Sequence, residues 1–228
     1  MGQLHVKSAD GFVKGRREAA CRRVLEHFRI QLAELSLLCF VDEEAVEDID
    51  FEEKKNTKLG VANRGFFVRN VRAALDIGNP PLPSYVRSSL RGATGENLFH
   101  KLIYVHGSAC DPEESLIITL SHELQHFFQD RNEPQASDLD RRLLGRLRNW
   151  QEHPSEHDAM LRSKQAAASL CGEDPVSRYA DSRIELSKRD RQIWHEDQLR
   201  WEFFRSLQIS SEYDFGKEVE TLWEKYRP

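Results

Sequence analysis

The stretch TLSHELQHFF, residues 119–128, contains the pattern His-Glu-x-x-His. A capping aspartate, a proline and two carboxylates precede it at residues 111–114, and they predict a helix from there to about Asp130. At about 100° per residue, His122 and His126 lie about 40° apart on one face of this helix. An apolar stripe occupies the opposite face and consists of Leu116, Ile117, Leu120, Leu124, Phe127 and Phe128. The two imidazoles are therefore predicted to point away from the core.

Two imidazoles one helical turn apart can bind a single zinc ion, whose bonds to nitrogen are about 2.0–2.1 Å long. Glu123 follows the first histidine, where its carboxylate can reach a water molecule at the metal without binding the metal itself. The spacing predicts His122 and His126 as metal ligands and Glu123 as the general base. By chance, such a pattern arises in about one in a hundred chains of this size. An ordinary solvated helix face therefore stays open as the alternative.

Residues 119–128 resemble the zincin metallopeptidases, including the uncharged and hydrophobic flanks of their extended motif. The metzincin branch has Gly and His where this chain has Gln129 and Asn132, so the resemblance implies a glutamate as the third ligand. Residues 154–159, PSEHDA, resemble the Glu-x-x-Ala element of ImmA/IrrE-like gluzincins. This resemblance implies that Glu156 completes a Zn²⁺ site of two histidines and one glutamate.

Helical geometry adds support for Glu156, because small side chains that would allow close approach to the motif helix follow it on one face: Ala159, Ser163, Ala166 and Ala167, with Leu170 beyond them. By chemistry, His153 and His157 are alternative ligands. Asp158 falls on another face, four residues before Arg162, and the two are predicted to form a surface ion pair.

The hydrophobic pattern predicts an α+β fold that is mostly helical and has a small sheet. An amphipathic helix is predicted over residues 16–38, and a strand within residues 60–70. Residues 102–105 form an apolar run that predicts a strand, which we place at the sheet edge nearest the motif helix. After the motif, the chain is predicted to be helical. The resemblance implies a zincin-like fold, whose edge strand lies next to the active-site helix and pairs with an extended peptide.

The 228 residues are predicted to form a single domain, with an N-terminal helix and sheet region over residues 1–100 and a helical part over residues 101–228. The formal net charge of −5 argues against a nucleic-acid partner. No stretch has the length and apolar character of a membrane span, and the N-terminus lacks the pattern of a signal peptide. We therefore expect a cytoplasmic protein without a membrane partner.

The resemblance implies a zinc-dependent peptidase that hydrolyses peptide or protein substrates with metal-activated water and Glu123 as the base. His195, Tyr179 and His106 are eligible as donors to the oxyanion, and none of them is singled out. One alternative is a non-catalytic, zinc-stabilised regulatory or protein-binding module, in which a fourth protein ligand closes the metal shell. Another is a metal-free helical interaction protein that uses the aromatic segment 194–204.

Overall fold

A computed structural model of the chain describes residues 3–6, 8–30, 37–42, 65–69, 101–143, 146–147, 149, 152–189 and 195–227. The described residues form four strands: β1 (Gln3–Val6), β2 (Leu37–Asp42), β3 (Gly65–Val68) and β4 (Lys101–His106). They also form seven α-helices: α1 (Gly11–His27), α2 (Glu113–Asn132), α3 (Pro134–Leu143), α4 (Pro154–Cys171), α5 (Glu173–Arg189), α6 (His195–Ser206) and α7 (Phe215–Tyr226). The structure is mostly helical with one small sheet, as predicted.

The chain divides into two compact units, residues 1–120 and residues 121–228. The boundary falls inside the helix that carries the His-Glu-x-x-His motif, α2. With Asp111 as the predicted cap and Pro112 as the first helical residue, this helix begins one residue later than predicted, at Glu113, and ends at Asn132. The single domain stays a prediction.

The first unit contains the sheet, whose strand order is β1-β2-β4-β3. Strands β1, β2 and β4 are parallel, and β3 runs antiparallel to β4. The side chains of residues 102–105 are fully buried on both faces of β4. Continuous burial of this kind is expected of a central strand in a parallel sheet.

The strand predicted at residues 102–105 is confirmed, but its placement at the sheet edge is wrong. β4 is hydrogen-bonded to β2 on one side and to β3 on the other, so its backbone has no free side for an extended peptide. The sequence contained the signal for this, because the run is apolar at every position, whereas an edge strand normally carries polar or charged side chains.

The single helix predicted over residues 16–38 is wrong in its extent, because this range contains parts of two separate elements, α1 and β2. Asp10 caps α1 by accepting hydrogen bonds from the backbone N–H groups of Phe12 and Val13. The helix ends at His27, and Arg29 follows with a positive φ of 54°. Residues 37–38 belong to β2, whose continuous apolar run is typical of a buried strand. The strand predicted within residues 60–70 is observed as β3.

The second unit contains the helical C-terminal half of the chain. Trp201 of α6 packs edge-on against Tyr179 of α5, with ring centroids 5.3 Å apart, and also contacts Phe204. Trp201 and Phe204 are buried, so these two aromatics of segment 194–204 belong to the core and not to an exposed partner surface. None of the helices in the described part of the chain combines the length and apolar character that a membrane crossing requires.

Candidate metal centre

Two histidines of α2 and a glutamate of α4 converge on one point. The Nε2 atoms of His122 and His126 are 3.1 Å apart, and the two rings are nearly perpendicular, at 86°. The Glu156 carboxylate lies 3.3 Å from His122 Nε2 and 3.5 Å from His126 Nε2. The structure thus brings together the three side chains that the sequence predicted as metal ligands.

The distances between the ligand atoms of this cluster are similar to those between neighbouring ligands of a zinc ion. In a tetrahedral site with bonds of about 2.0–2.1 Å, neighbouring ligand atoms are about 3.3 Å apart. The two Nε2 atoms are 3.1 Å apart, His122 Nε2 is 3.3 Å from Glu156 Oε2, and His126 Nε2 is 3.5 Å from Glu156 Oε1, so all three distances lie around this value. Two imidazole nitrogens and one carboxylate are also a donor set typical of catalytic zinc sites. The residues therefore fit a zinc ion by both spacing and chemistry.

The three side chains are only partly accessible, with exposed fractions of 16% for His122, 17% for His126 and 24% for Glu156. In the described part of the chain, no other His, Cys, Asp or Glu joins them in a cluster with metal-ligand spacing. The cluster thus offers three protein ligands and keeps contact with solvent.

A hydrogen-bonded chain continues outward from His126. Its Nδ1 lies 2.9 Å from Gln129 Oε1. The Gln129 amide nitrogen donates to the backbone carbonyl of Ser155 and to Asp158 Oδ2, at 2.9 Å each. Gln125 donates to the same Asp158 oxygen at 2.6 Å. These contacts join α2 to the first turns of α4, and thereby fix the ligand Glu156 relative to the ligand His126.

A carboxylate from the neighbouring helix caps the start of α4. Asp140 of α3 accepts hydrogen bonds from the Ser155 hydroxyl, at 2.5 Å, and from the Ser155 backbone. His153 occupies the N-cap position but makes no side-chain capping bond. Asp140 therefore supplies the interaction that a capping side chain normally supplies. A negative charge at this position also interacts favourably with the positive end of the helix dipole. Burial raises the pKa of Asp140.

Glu123 is 7% exposed, although it carries a carboxylate. Burial raises its pKa above the ordinary 4.5, and the charge of Glu156 acts in the same direction. The nearby His122, His126 and Arg200 lower the pKa in part. A carboxyl group with a raised pKa is better suited to accept a proton near neutral pH than an ordinary surface glutamate.

The cluster brings together side chains that can carry opposite charges. Burial alone would raise the pKa of Glu156, but His126 and His122 outweigh this effect and lower it to about 2. Burial alone would lower the pKa of His126, but the charges of Glu156 and Glu123 and the hydrogen bond to Gln129 raise it. Protons and a metal ion therefore compete for the same imidazole nitrogen.

The alternative ligands His153 and His157 do not belong to the cluster. His157 stacks on Tyr213, with ring centroids 4.3 Å apart, and contacts Phe203 edge-on. His153 is buried at the start of α4. Neither histidine closes the shell around the three predicted ligands.

The eligible oxyanion donors are distributed over both units. Tyr179 is buried against Trp201, which is a packing role. His195 is the first residue of α6, and His106 is the last residue of β4. The side chains of these two histidines lie outside the described residues, so the choice among donors stays open.

Three residues near the cluster were not predicted. The sequence pattern shows Gln129 only as a departure from the metzincin motif and gives no role to Arg200. Asp158 was predicted on the surface; its ion pair with Arg162 exists, at 3.5 Å, but the Asp158 side chain is only 3% exposed. A buried carboxylate requires hydrogen-bond donors, and here they come from the motif helix. The i, i+4 spacing of Asp158 and Arg162 predicts their ion pair. It contains no information about the contact of Asp158 with Gln125 and Gln129 of α2.

Comparisons of the chain with protein-family models, with curated protein sequences and with solved structures found no match.

Proposed function

We propose that this protein is a zinc-dependent peptidase of the gluzincin type, with a zincin-like fold and the ligands His122, His126 and Glu156. The observation that carries this proposal is that the two imidazole Nε2 atoms lie 3.1 Å apart and that each has a Glu156 carboxylate oxygen within 3.5 Å. The ligands come from two helices that are tied together by buried hydrogen bonds. Such a preorganised set of donors is what a metal site requires.

The chemistry follows from the roles of the individual side chains. A zinc ion bound to this cluster would supply Lewis-acid chemistry, because it polarises water and a peptide carbonyl. Glu123 would accept a proton from the attacking water on its carboxylate and pass it to the nitrogen of the leaving amine. Glu123 is buried, and this burial raises its pKa above that of a free glutamate.

The number of ligands favours an enzyme over a structural zinc module. A structural zinc site is closed by four protein ligands, whereas a catalytic site has three and an open position. The cluster in the described residues contains three, and His153 and His157 lie outside it. We therefore place the non-catalytic regulatory module second. The predicted substrate is a peptide or protein.

The test compares Glu123→Gln with a control on the same helix, Glu114→Gln. We expect both variants to bind zinc in the same ratio as the wild type. Glu123→Gln should lose peptide cleavage by about 10²- to 10⁴-fold, because the base is missing, whereas Glu114→Gln should cleave normally. The measurements are the zinc content of protein purified without chelator and the hydrolysis of a peptide library.

Each part of the proposal can fail by itself in this experiment. Undiminished cleavage by Glu123→Gln would remove this residue from the mechanism. A wild type that contains no metal would remove the zinc site. A wild type that binds zinc but cleaves no peptide would favour the regulatory module.

A further inference from the structure

We propose that Gln129 is a positioning residue that fixes the tautomer of His126, with its proton on Nδ1 and its lone pair on Nε2. Asp158 and the backbone carbonyl of Ser155 hold Gln129 in the orientation that this role requires. The inference deepens the proposed function and rests on it for the identity of the metal ligand. The contacts themselves involve no metal ion.

The orientation of the Gln129 amide follows from its partners. Its nitrogen lies 2.9 Å from the carbonyl oxygen of Ser155 and 2.9 Å from Asp158 Oδ2. Both partners are acceptors, and the amide nitrogen has two protons to donate. A flipped amide would place its oxygen against two acceptors. The Gln129 oxygen therefore faces His126.

The orientation of the amide determines the state of the imidazole. Gln129 Oε1 lies 2.9 Å from His126 Nδ1, and a carbonyl oxygen can only accept. Nδ1 must then carry the proton, so in the neutral ring the lone pair is on Nε2. Nε2 is the atom that faces His122 and Glu156. The opposite tautomer would present an N–H group to the cluster and could not bind a cation.

The burial of Asp158 stabilises the hydrogen bonds that hold Gln129 in this orientation. Gln129 is 4% exposed and Asp158 is 2% exposed, so water does not compete well for their hydrogen bonds. Asp158 is an acceptor when ionised, and it receives donors from both Gln125 and Gln129. A carboxylate at this point therefore allows Gln129 only one orientation, whereas a side chain with both donor and acceptor atoms would allow two.

The experiment compares Gln129→Met with the matched control Gln125→Met. Gln125 donates to the same Asp158 oxygen but has no contact with His126 among the hydrogen bonds of the described residues. One measurement is zinc affinity by chelator competition. The other is the nitrogen NMR signature of the His126 tautomer in metal-free protein, at a pH where the ring is neutral.

We expect the wild type to show the Nδ1–H tautomer. Gln129→Met should lose this preference and bind zinc about 10- to 100-fold more weakly, the usual cost of removing a partner that orients a ligand. Gln125→Met should keep the tautomer, and it should lose clearly less zinc affinity than Gln129→Met. A loss of packing alone would not produce this difference, because both variants remove a hydrogen bond to Asp158.

The outcomes separate this inference from the proposed function. An Nε2–H tautomer in the wild type overturns the inference without any variant, so it stays testable even where Gln129→Met fails to fold. An unchanged tautomer and affinity in Gln129→Met also overturn it. A wild type that takes up no zinc, but in which Gln129→Met changes the tautomer, supports the positioning role while the peptidase proposal fails.

Discussion

Replacing Glu156 by glutamine in metal-free protein should reduce stability in one pH window and not in another. Glu156 contacts both imidazoles, and its pKa falls from the ordinary 4.5 to about 2. A difference of this size corresponds to about 3 kcal/mol of favourable interaction. Solvent reaches 24% of the side chain and weakens the attraction. We therefore expect Glu156→Gln to lower the free energy of unfolding by about 1–3 kcal/mol.

The pH window follows from the directions of the two shifts. The pKa of Glu156 is lowered, so its contribution is present above its unfolded value of 4.5 and is lost as the pH falls toward 2. The pKa of His126 is raised, so its contribution is complete below its unfolded value of 6.5 and is lost as the pH rises through the folded value. Both contributions are complete together between 4.5 and 6.5, and the contribution of His126 declines above this range.

The assay is urea denaturation of chelator-treated protein at about pH 5.5 and about pH 9. Deprotonation of His126 removes the attraction as the pH rises, so Glu156→Gln should cost less at the higher pH than at the lower one. The control is Glu185→Gln, which removes a carboxylate that is 57% exposed and 3.0 Å from Lys188 Nζ. This variant should change the free energy of unfolding by less than about 1 kcal/mol at both pH values. An equal loss in Glu156→Gln at both pH values would refute the ion-pair reasoning.

Two further predictions concern Arg200 and Lys164. Because the general base must be ionised, cleavage should rise with pH through the pKa of Glu123, which a bound zinc ion would lower. Arg200 also lowers this pKa, so Arg200→Gln should move the acidic limb of the pH–rate profile to higher pH. An acidic limb that stays in place would contradict this. Lys164 is 4% exposed, and its ammonium group donates to the backbone carbonyls of Phe204, Arg205 and Leu207. Lys164→Met should lower the free energy of unfolding in urea by about 3 kcal/mol, because these carbonyls lose their donor. Lys188→Met, at an exposed ion pair, should cost less than about 1 kcal/mol, and equal losses in both variants would contradict the burial argument.

The arrangement of the candidate site was predictable where it depends on local geometry. His122 and His126 share a helical face because of their spacing, and that much is visible in the sequence. Placing Glu156 beside them required a resemblance to a short element, since it lies about thirty residues away on another helix. The structure brings the three together, while their role as ligands stays a proposal.

The parts that were missed depend on contacts between elements distant in the chain. The buried position of Asp158 depends on donors from α2, and no spacing within residues 154–162 reveals them. The position of β4 in the sheet also depends on distant residues. β4 (residues 101–106) pairs with residues 37–42 of β2 and with residues 65–68 of β3. Its apolar run did indicate a central strand, and the error lay in assigning it to an edge.

Protons and a metal ion would compete for the same atoms of this cluster. In the metal-free protein, a proton on His126 and the charge of Glu156 stabilise each other, and this pairing replaces the attraction that a cation would provide. Metal binding requires the same proton to leave Nε2. Gln129 makes this exchange simple, because it keeps the other proton on Nδ1 in both states. Only one proton then has to leave His126, and the imidazole needs no rearrangement when a cation enters.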